Sequence, residues 1–245
     1  LMDWLLTMAE ERGEKPQDKV AVSTIVSSAM PDVLARARGF EMRRVLTGFK
    51  YIGDQIDQLK DAGEEDRFLM GFEESYGYLV GTHARDKDAI VATMLCVEMA
   101  SWYAARNMDL YEAMDALYQR YGYYLNGVVN AAYPGAEGAA KMAQIMSSLR
   151  KNPLDMIGNY KVVGVTDYAE CAEMPRVSGL QKEAPQTLPA SNVIEYRLEG
   201  DNKVIFRPSG TEPKVKSYLF ANGATREEAE ARIAELSEAA QKVLS

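Results

Sequence analysis

The chain has 245 residues, enough for one large domain or two ordinary ones, and its 47% hydrophobic and 26% charged residues exclude a disordered tail or a fibrous repeat. A formal net charge of −8 repels a phosphate backbone over most of the surface, which argues against nucleic-acid binding and requires any anion site to be local. Two cysteines, Cys96 and Cys171, are too few for a disulfide scaffold and too far apart for a metal-ligand spacing, and they fit a reducing cytoplasm.

Residues 1–8 are apolar but contain Asp3, lack a basic start and run into Glu10-Glu11-Arg12-Gly13. That is the pattern of an amphipathic helix stopped by glycine, not of a signal peptide. The pattern opens without a lead-in, so an upstream portion of the chain is expected. No stretch approaches the ~20 apolar residues of a membrane span. A β-branched run at residues 20–26 is followed by a helix through residues 33–38 closed by Gly39, a short strand at 40–46, a helix at 51–59 and a strand at 68–72. Strands alternating with helices imply βαβ units and a mostly parallel mixed sheet, an α/β domain. Two helices follow, at roughly 88–106 and 109–121.

After Gly122 the character changes. A strand-like run spans residues 123–132, Pro134-Gly135 makes a turn, and a helix reaches about Arg150. Further strands are expected at 161–165, 193–199, 203–207 and 214–220, with a proline-rich loop at 173–189. A closing helix at 225–244 opens with Thr225 and Glu228, a capping-box spacing. Strands in quick succession between helices read as an α+β domain with an antiparallel sheet packed by helices. The domains are therefore expected at 1–121 and 122–245.

The segment Arg207-Pro208-Ser209-Gly210-Thr211-Glu212-Pro213-Lys214-Val215-Lys216 joins two of those strands through a loop holding two hydroxyls and a glycine. A tight turn there can aim several backbone N–H groups into one concavity, a nest for an anion such as phosphate. Arg207 adds a planar fork and Lys216 a point charge. Lys203, Arg207, Lys214 and Lys216 against Glu212 make a local +3 in an acidic chain. The same residues also suit an ordinary hairpin turn with solvated lysines.

Gly71-Phe72-Glu73-Glu74-Ser75-Tyr76-Gly77 follows a strand, so Glu73 and Ser75 are expected to emerge on one side at its C-terminal edge, where open α/β sheets bind ligands. A carboxylate there can accept two vicinal sugar hydroxyls, although two solvated acids in a turn fit the pattern too. In His83-Ala84-Arg85-Asp86-Lys87-Asp88, an extended backbone would put His83, Arg85 and Lys87 on one basic face. Lys87 or His83 could take a proton from an attacking hydroxyl, and Lys87 is the stronger candidate. A plain solvated surface is the alternative. Asp86 and Asp88, without a third ligand, do not specify a metal.

Arg-Pro-Ser-Gly-Thr-Glu-Pro-Lys at 207–214 resembles the carboxy-terminal phosphate-binding loop of the α-D-phosphohexomutases, the phosphoglucomutase/phosphomannomutase superfamily, and Gly71 to Gly77 resembles their sugar-specificity loop. The resemblance also takes in Arg85 to Asp88 and Thr47-Gly48-Phe49-Lys50, and it covers the chain as the family's third domain, lacking its beginning, and its fourth. It implies that Arg207, Ser209, Gly210, Thr211 and Lys216 hold the phosphate that is not transferred. Glu73, Ser75, Thr47 and Gly48 would hold the sugar, with Lys87 near the transferring oxygen. Phe72 stands where the family often has glycine.

Family members move the phosphoryl group through a phosphoserine in a Ser-His-Asn-Pro loop and hold Mg²⁺ with an Asp-Gly-Asp-x-Asp-Arg loop; neither motif occurs in this sequence. The resemblance therefore implies a cytoplasmic hexose-phosphate isomerase whose magnesium and phosphoserine belong to preceding domains. This portion is expected to bind a sugar phosphate without metal, cofactor, nucleic acid or membrane, and without turnover. A phosphopentomutase of the same superfamily and a non-catalytic sugar-phosphate-binding module are the alternatives.

Overall fold

The computed structural model describes residues 1–135, 137–170, 173–174, 186–210 and 212–245. They divide into two compact units, the first made of residues 1–121 with Met174 and Gln186, the second of the described residues from Gly122 to Glu173 and from Thr187 to Ser245.

The first unit contains α1 (Met2–Glu11), β1 (Val20–Thr24), α2 (Met30–Arg38), β2 (Glu41–Val45), α3 (Phe49–Asp61), β3 (Phe68–Glu73), β4 (Gly77–Leu79), α4 (Ala89–Ala104) and α5 (Leu110–Tyr121). Its sheet runs in the order β2-β1-β3-β4; β2, β1 and β3 are parallel, and β4 returns antiparallel along β3. All five residues of β1 are buried, as a strand covered on both faces must be. Val20 and Val22 point to a core with Ile52, Ile56 and Leu59 of α3, while Ala21 points to one with Met2, Leu6 and Leu34 of α1 and α2. Gly71 of β3 lets α3 come this close: a Cβ there would lie 2.3 Å from Cγ2 of Ile52. Strand β2, Glu-Met-Arg-Arg-Val, is buried despite its charges because Arg43 donates to Glu41 (2.5 Å) and to Gln55 (3.1 Å), and Arg67 reaches the other Glu41 oxygen at 3.0 Å.

Helix α4 is capped by Asp88, whose carboxylate accepts the N–H groups of Ile90 and Val91 at 2.9 and 3.0 Å. It carries a single charged residue, Glu98, in sixteen residues, yet Ile90, Met94 and Val97 are exposed. No helix among the described residues is long and apolar enough to cross a membrane.

The second unit contains β5 (Tyr123–Ala132), α6 (Gly138–Lys151), β6 (Met156–Ile157), β7 (Tyr160–Asp167), β10 (Ile194–Leu198), β11 (Asn202–Pro208), β12 (Lys214–Gly223) and α7 (Arg226–Val243), while β8 (Glu173–Met174) and β9 (Gln186–Thr187) pair in a separate two-stranded sheet. The main sheet runs β5-β12-β11-β10-β7-β6 with every pairing antiparallel. Phe206, Val215 and Leu219 face a core with Met146 and Leu149 of α6 and Leu236 and Ala240 of α7. Thr225 caps α7 as expected, its Oγ1 accepting Glu228 N–H at 3.2 Å, but the Glu228 carboxylate accepts from Ala224 N–H at 3.0 Å, one residue before the N-cap, in place of the return bond of a capping box.

Gly71→Ala is expected to cost about 1–3 kcal/mol through overpacking against Ile52, whereas Val97→Ser on the exposed face of α4 should stay within about 0.5 kcal/mol of the parent. Urea unfolding of the two variants checks both; a neutral Gly71→Ala contradicts the packing of α3 on β3.

Candidate functional site

In the first unit, β1, β2 and β3 all end at one edge of the sheet, and the segments leaving that edge carry the candidate residues. After β2 the chain turns through Thr47 and Gly48 into α3. Gly48 adopts φ +128°, a conformation open to glycine and costly for other residues. Its N–H donates to Glu73 Oε1 at 2.8 Å, which fastens the turn after β2 to the end of β3. Glu73 Oε2 lies 3.9 Å from Lys87 Nζ, and that ammonium also sits 4.8 Å above the ring of Phe49. Lys87 can lie so close because residue 77 is glycine: a Cβ there would stand 2.8 Å from Lys87 Cδ and 3.4 Å from Glu73 Oε2. Gly48, Glu73 and Lys87, three candidates far apart in sequence, thus form one cluster, with the Thr47 hydroxyl oxygen buried next to Gly48 and without a hydrogen-bond partner among the described residues.

The other candidates are placed differently from the sequence expectation. Strand β3 stops at Glu73, so the alternation that would align Ser75 with it does not continue. Ser75 lies in the exposed turn before β4 and donates to Glu74 Oε1 at 3.3 Å. Tyr76 beside it takes φ +61°. The segment from His83 to Asp88 is a series of bends rather than a strand, and it presents no common basic face. Arg85 turns to Asp57 (2.7 Å) and to the carbonyl of Thr82 (2.7 Å), while His83 Nε2 pairs with Asp88 at 2.8 Å. Lys87 is bound to Asp86 at 2.9 Å, and that contact holds the Asp86 carboxyl below its usual range. Asp88 is lowered chiefly by the Val91 N–H and then by His83.

A hydroxyl-lined loop after β1, not among the candidates that the sequence motifs single out, belongs to the same edge. Thr24 and Ser27 hydroxyls are 2.9 Å apart, and Thr24 also donates to Glu74 at 3.4 Å. Arg44 fixes the loop through the carbonyls of Thr24 (2.9 Å) and Ser28 (2.6 Å) and through Asp32 (2.6 Å). Ser23-Thr24 at the end of an apolar run, with Ser27-Ser28 just beyond, was the signal available for it.

In the second unit the basic loop joins β11 to β12. Most of its described N–H groups are already used: Ser209 N–H donates to Lys214 O (2.8 Å), Lys214 N–H to Glu212 O (2.8 Å) and Glu212 N–H to Ser209 Oγ (3.3 Å). The expected nest of several N–H groups therefore reduces, among the described residues, to the N–H of Gly210. Thr211 lies outside the described residues. Lys214 is tied to Glu212 at 2.5 Å and keeps that carboxyl below its usual range. Arg207 makes no hydrogen bond or ion pair among the described residues, and Lys216 adds only a longer-range field at Glu212. The two are cross-strand partners, which sets a guanidinium and an ammonium side by side with no neutralising contact among the described residues. Such a pair attracts a dianion such as phosphate.

No three His, Cys, Asp or Glu side chains among the described residues converge to hold a metal ion. The described residues offer no ligand set that fits the magnesium which the family resemblance implies.

A family model described as phosphoglucomutase/phosphomannomutase, alpha/beta/alpha domain III, matches residues 3–121. The phosphoglucomutase of Staphylococcus haemolyticus is 33% identical over 207 residues, 84% of this chain and 37% of that protein. The phosphoglucomutase of Staphylococcus aureus strain RF122 is 34% identical over 217 residues, 88% of this chain and 38% of its own. The chain thus spans under two fifths of the length of the curated relatives it matches. Among solved structures, parafusin, a phosphoglucomutase from Paramecium in its open form, aligns with a TM-score of 0.64 at 18% identity over 91% of this chain and 37% of its own. A phosphoglucomutase/phosphomannomutase family protein from Burkholderia thailandensis aligns at 0.52 and 11% identity over 99% and 41%. At these identities the two structures speak for the fold alone.

Removing the carboxylate in Glu73→Ala should release the Gly48 amide. Loss of a hydrogen bond to a charged group predicts a rise of about ten- to hundredfold in its hydrogen-exchange rate, measurable by amide exchange; unchanged protection contradicts the role given to Glu73.

Proposed function

The chain belongs to the phosphoglucomutase/phosphomannomutase family, and from that premise we propose that it is the substrate-recognising part of an enzyme that interconverts the 1- and 6-phosphates of a hexose through a bisphosphate. The observation that carries this reading is the cluster of Gly48, Glu73 and Lys87 at the C-terminal edge of the parallel strands. Glu73 Oε1 is occupied by the turn after β2, which leaves Oε2 as the better acceptor for a ring hydroxyl, with the Lys87 ammonium beside it as a donor. Thr47, next to Gly48 in the chain, and the exposed Ser75, two residues after Glu73, are the further hydroxyl candidates for the sugar. Lys87 is the candidate for moving a proton at the transferring oxygen, because it shares the Glu73 cluster; His83 is the weaker candidate because Asp88 engages its Nε2.

In the second unit Arg207, Lys216, Ser209 and Gly210, with Thr211, would grip the phosphate that stays in place. Phosphoryl transfer needs a nucleophile and charge neutralisation at the reacting group. We assign both, with the magnesium, to further parts of a longer polypeptide. Two observations support that assignment: the relatives' extra length and the apolar residues exposed on α4, a helix whose composition suits burial.

Three outcomes are expected of the chain as it stands. With glucose 1-phosphate and Mg²⁺ it should show no turnover, and measurable mutase activity would overturn the assignment of catalysis elsewhere. By calorimetry, Arg207→Ala should remove most affinity for inorganic phosphate, since a charge-assisted bidentate contact is lost; equal affinity rules out the phosphate loop. Glu73→Gln should weaken glucose 1-phosphate about tenfold while leaving inorganic phosphate unchanged, and an equal loss for both ligands counts against a hydroxyl contact.

A further inference from the structure

Strand register puts a third polar side chain beside the Arg207–Lys216 pair. Lys216 of β12 faces Arg207 of β11 on one side and Asn130 of β5 on the other. Residues in one cross-strand row point to the same face of a sheet, with neighbouring strands about 4.8 Å apart. Phe206 and Val215, one residue before Arg207 and Lys216, face the core under α6 and α7. The row of Arg207, Lys216 and Asn130 therefore projects from the opposite face.

Asn130 is exposed, and its amide makes no hydrogen bond among the described residues. Its neighbours on the same face of β5 are apolar: Val128 and Ala132. An amide at this one position adds two N–H donors without adding negative charge, which is what an anion held by the adjacent cations requires. Because β5 is the edge of the sheet, the row is open beyond Asn130.

We propose that Asn130 is a phosphate-binding residue, the third donor of a row with Arg207 and Lys216. The inference rests on the phosphate-loop reading above and adds to it a residue from a strand far from that loop in sequence.

The test is calorimetric titration of the parent, Asn130→Ala, Asn130→Asp and Arg207→Ala with inorganic phosphate, alongside thermal melts. Asn130→Ala should weaken phosphate about three- to tenfold with an unchanged melting temperature, as expected for one neutral hydrogen bond. Asn130→Asp should weaken it further at low salt, and the extra loss should fade as salt rises. If Asn130→Ala binds like the parent while Arg207→Ala does not, Asn130 is no ligand and the loop reading stands. If Arg207→Ala also binds like the parent, or the parent binds no phosphate, the loop reading fails and takes the role of Asn130 with it.

Discussion

Three parallel strands that end at one edge constrain everything proposed for the first unit. Parallel pairing of β2, β1 and β3 sends each chain exit to the same side, so residues separated by a whole crossover helix leave the sheet as neighbours. The bond from Gly48 N–H to Glu73 turns that nearness into a fixed geometry, since it links the exits of β2 and β3 directly. Gly77 then lets Lys87 settle against the same carboxylate. A glycine with positive φ, a carboxylate at a strand end and a glycine under a lysine stem are separate facts in the sequence; the parallel sheet makes one site of them.

The second unit reaches a comparable result through antiparallel register. Alternation along β11 and β12 buries Phe206, Val215 and Leu219 under two helices and leaves Arg207 and Lys216 on the other face. The loop between them closes on itself through its own N–H groups and through the Lys214–Glu212 pair, so its binding capacity lies in the uncompensated cations more than in the backbone. In the first unit the buried or half-buried guanidinium groups are matched by carboxylates, Arg43 and Arg67 by Glu41, Arg44 by Asp32 and Arg85 by Asp57, whereas no carboxylate among the described residues pairs with Arg207 or Lys216.

Much of this was legible in the sequence where long periodic segments carried the signal. The ten residues of β5, the two helices before Gly122 and the Thr225 cap of α7 fall where pattern and cap residues place them. Short elements were not legible: β4 has three residues and β6 two, below the length at which alternation can be recognised. The end of β1 is blurred in the sequence because Ile25 and Val26 stay buried beyond the strand's last residue, Thr24, and Ile25 N–H still donates to Val45 O at 2.8 Å, so hydrophobicity runs on past the strand. Ser75 and the bends around Arg85 went wrong for a related reason. Alternation predicts facing only while the backbone stays extended, and Asp57 and the carbonyl of Thr82 offered Arg85 better partners than solvent.

The central claim is that both loops of this chain recognise one kind of molecule, a sugar phosphate. Amide chemical-shift mapping with glucose 1-phosphate tests it most directly. The account predicts shifts at Gly48 and Glu73 to Ser75 in the first unit and at Ser209 and Gly210 in the second, with inorganic phosphate moving only the latter set. Perturbations elsewhere, or a silent first unit when the sugar is present, would contradict it.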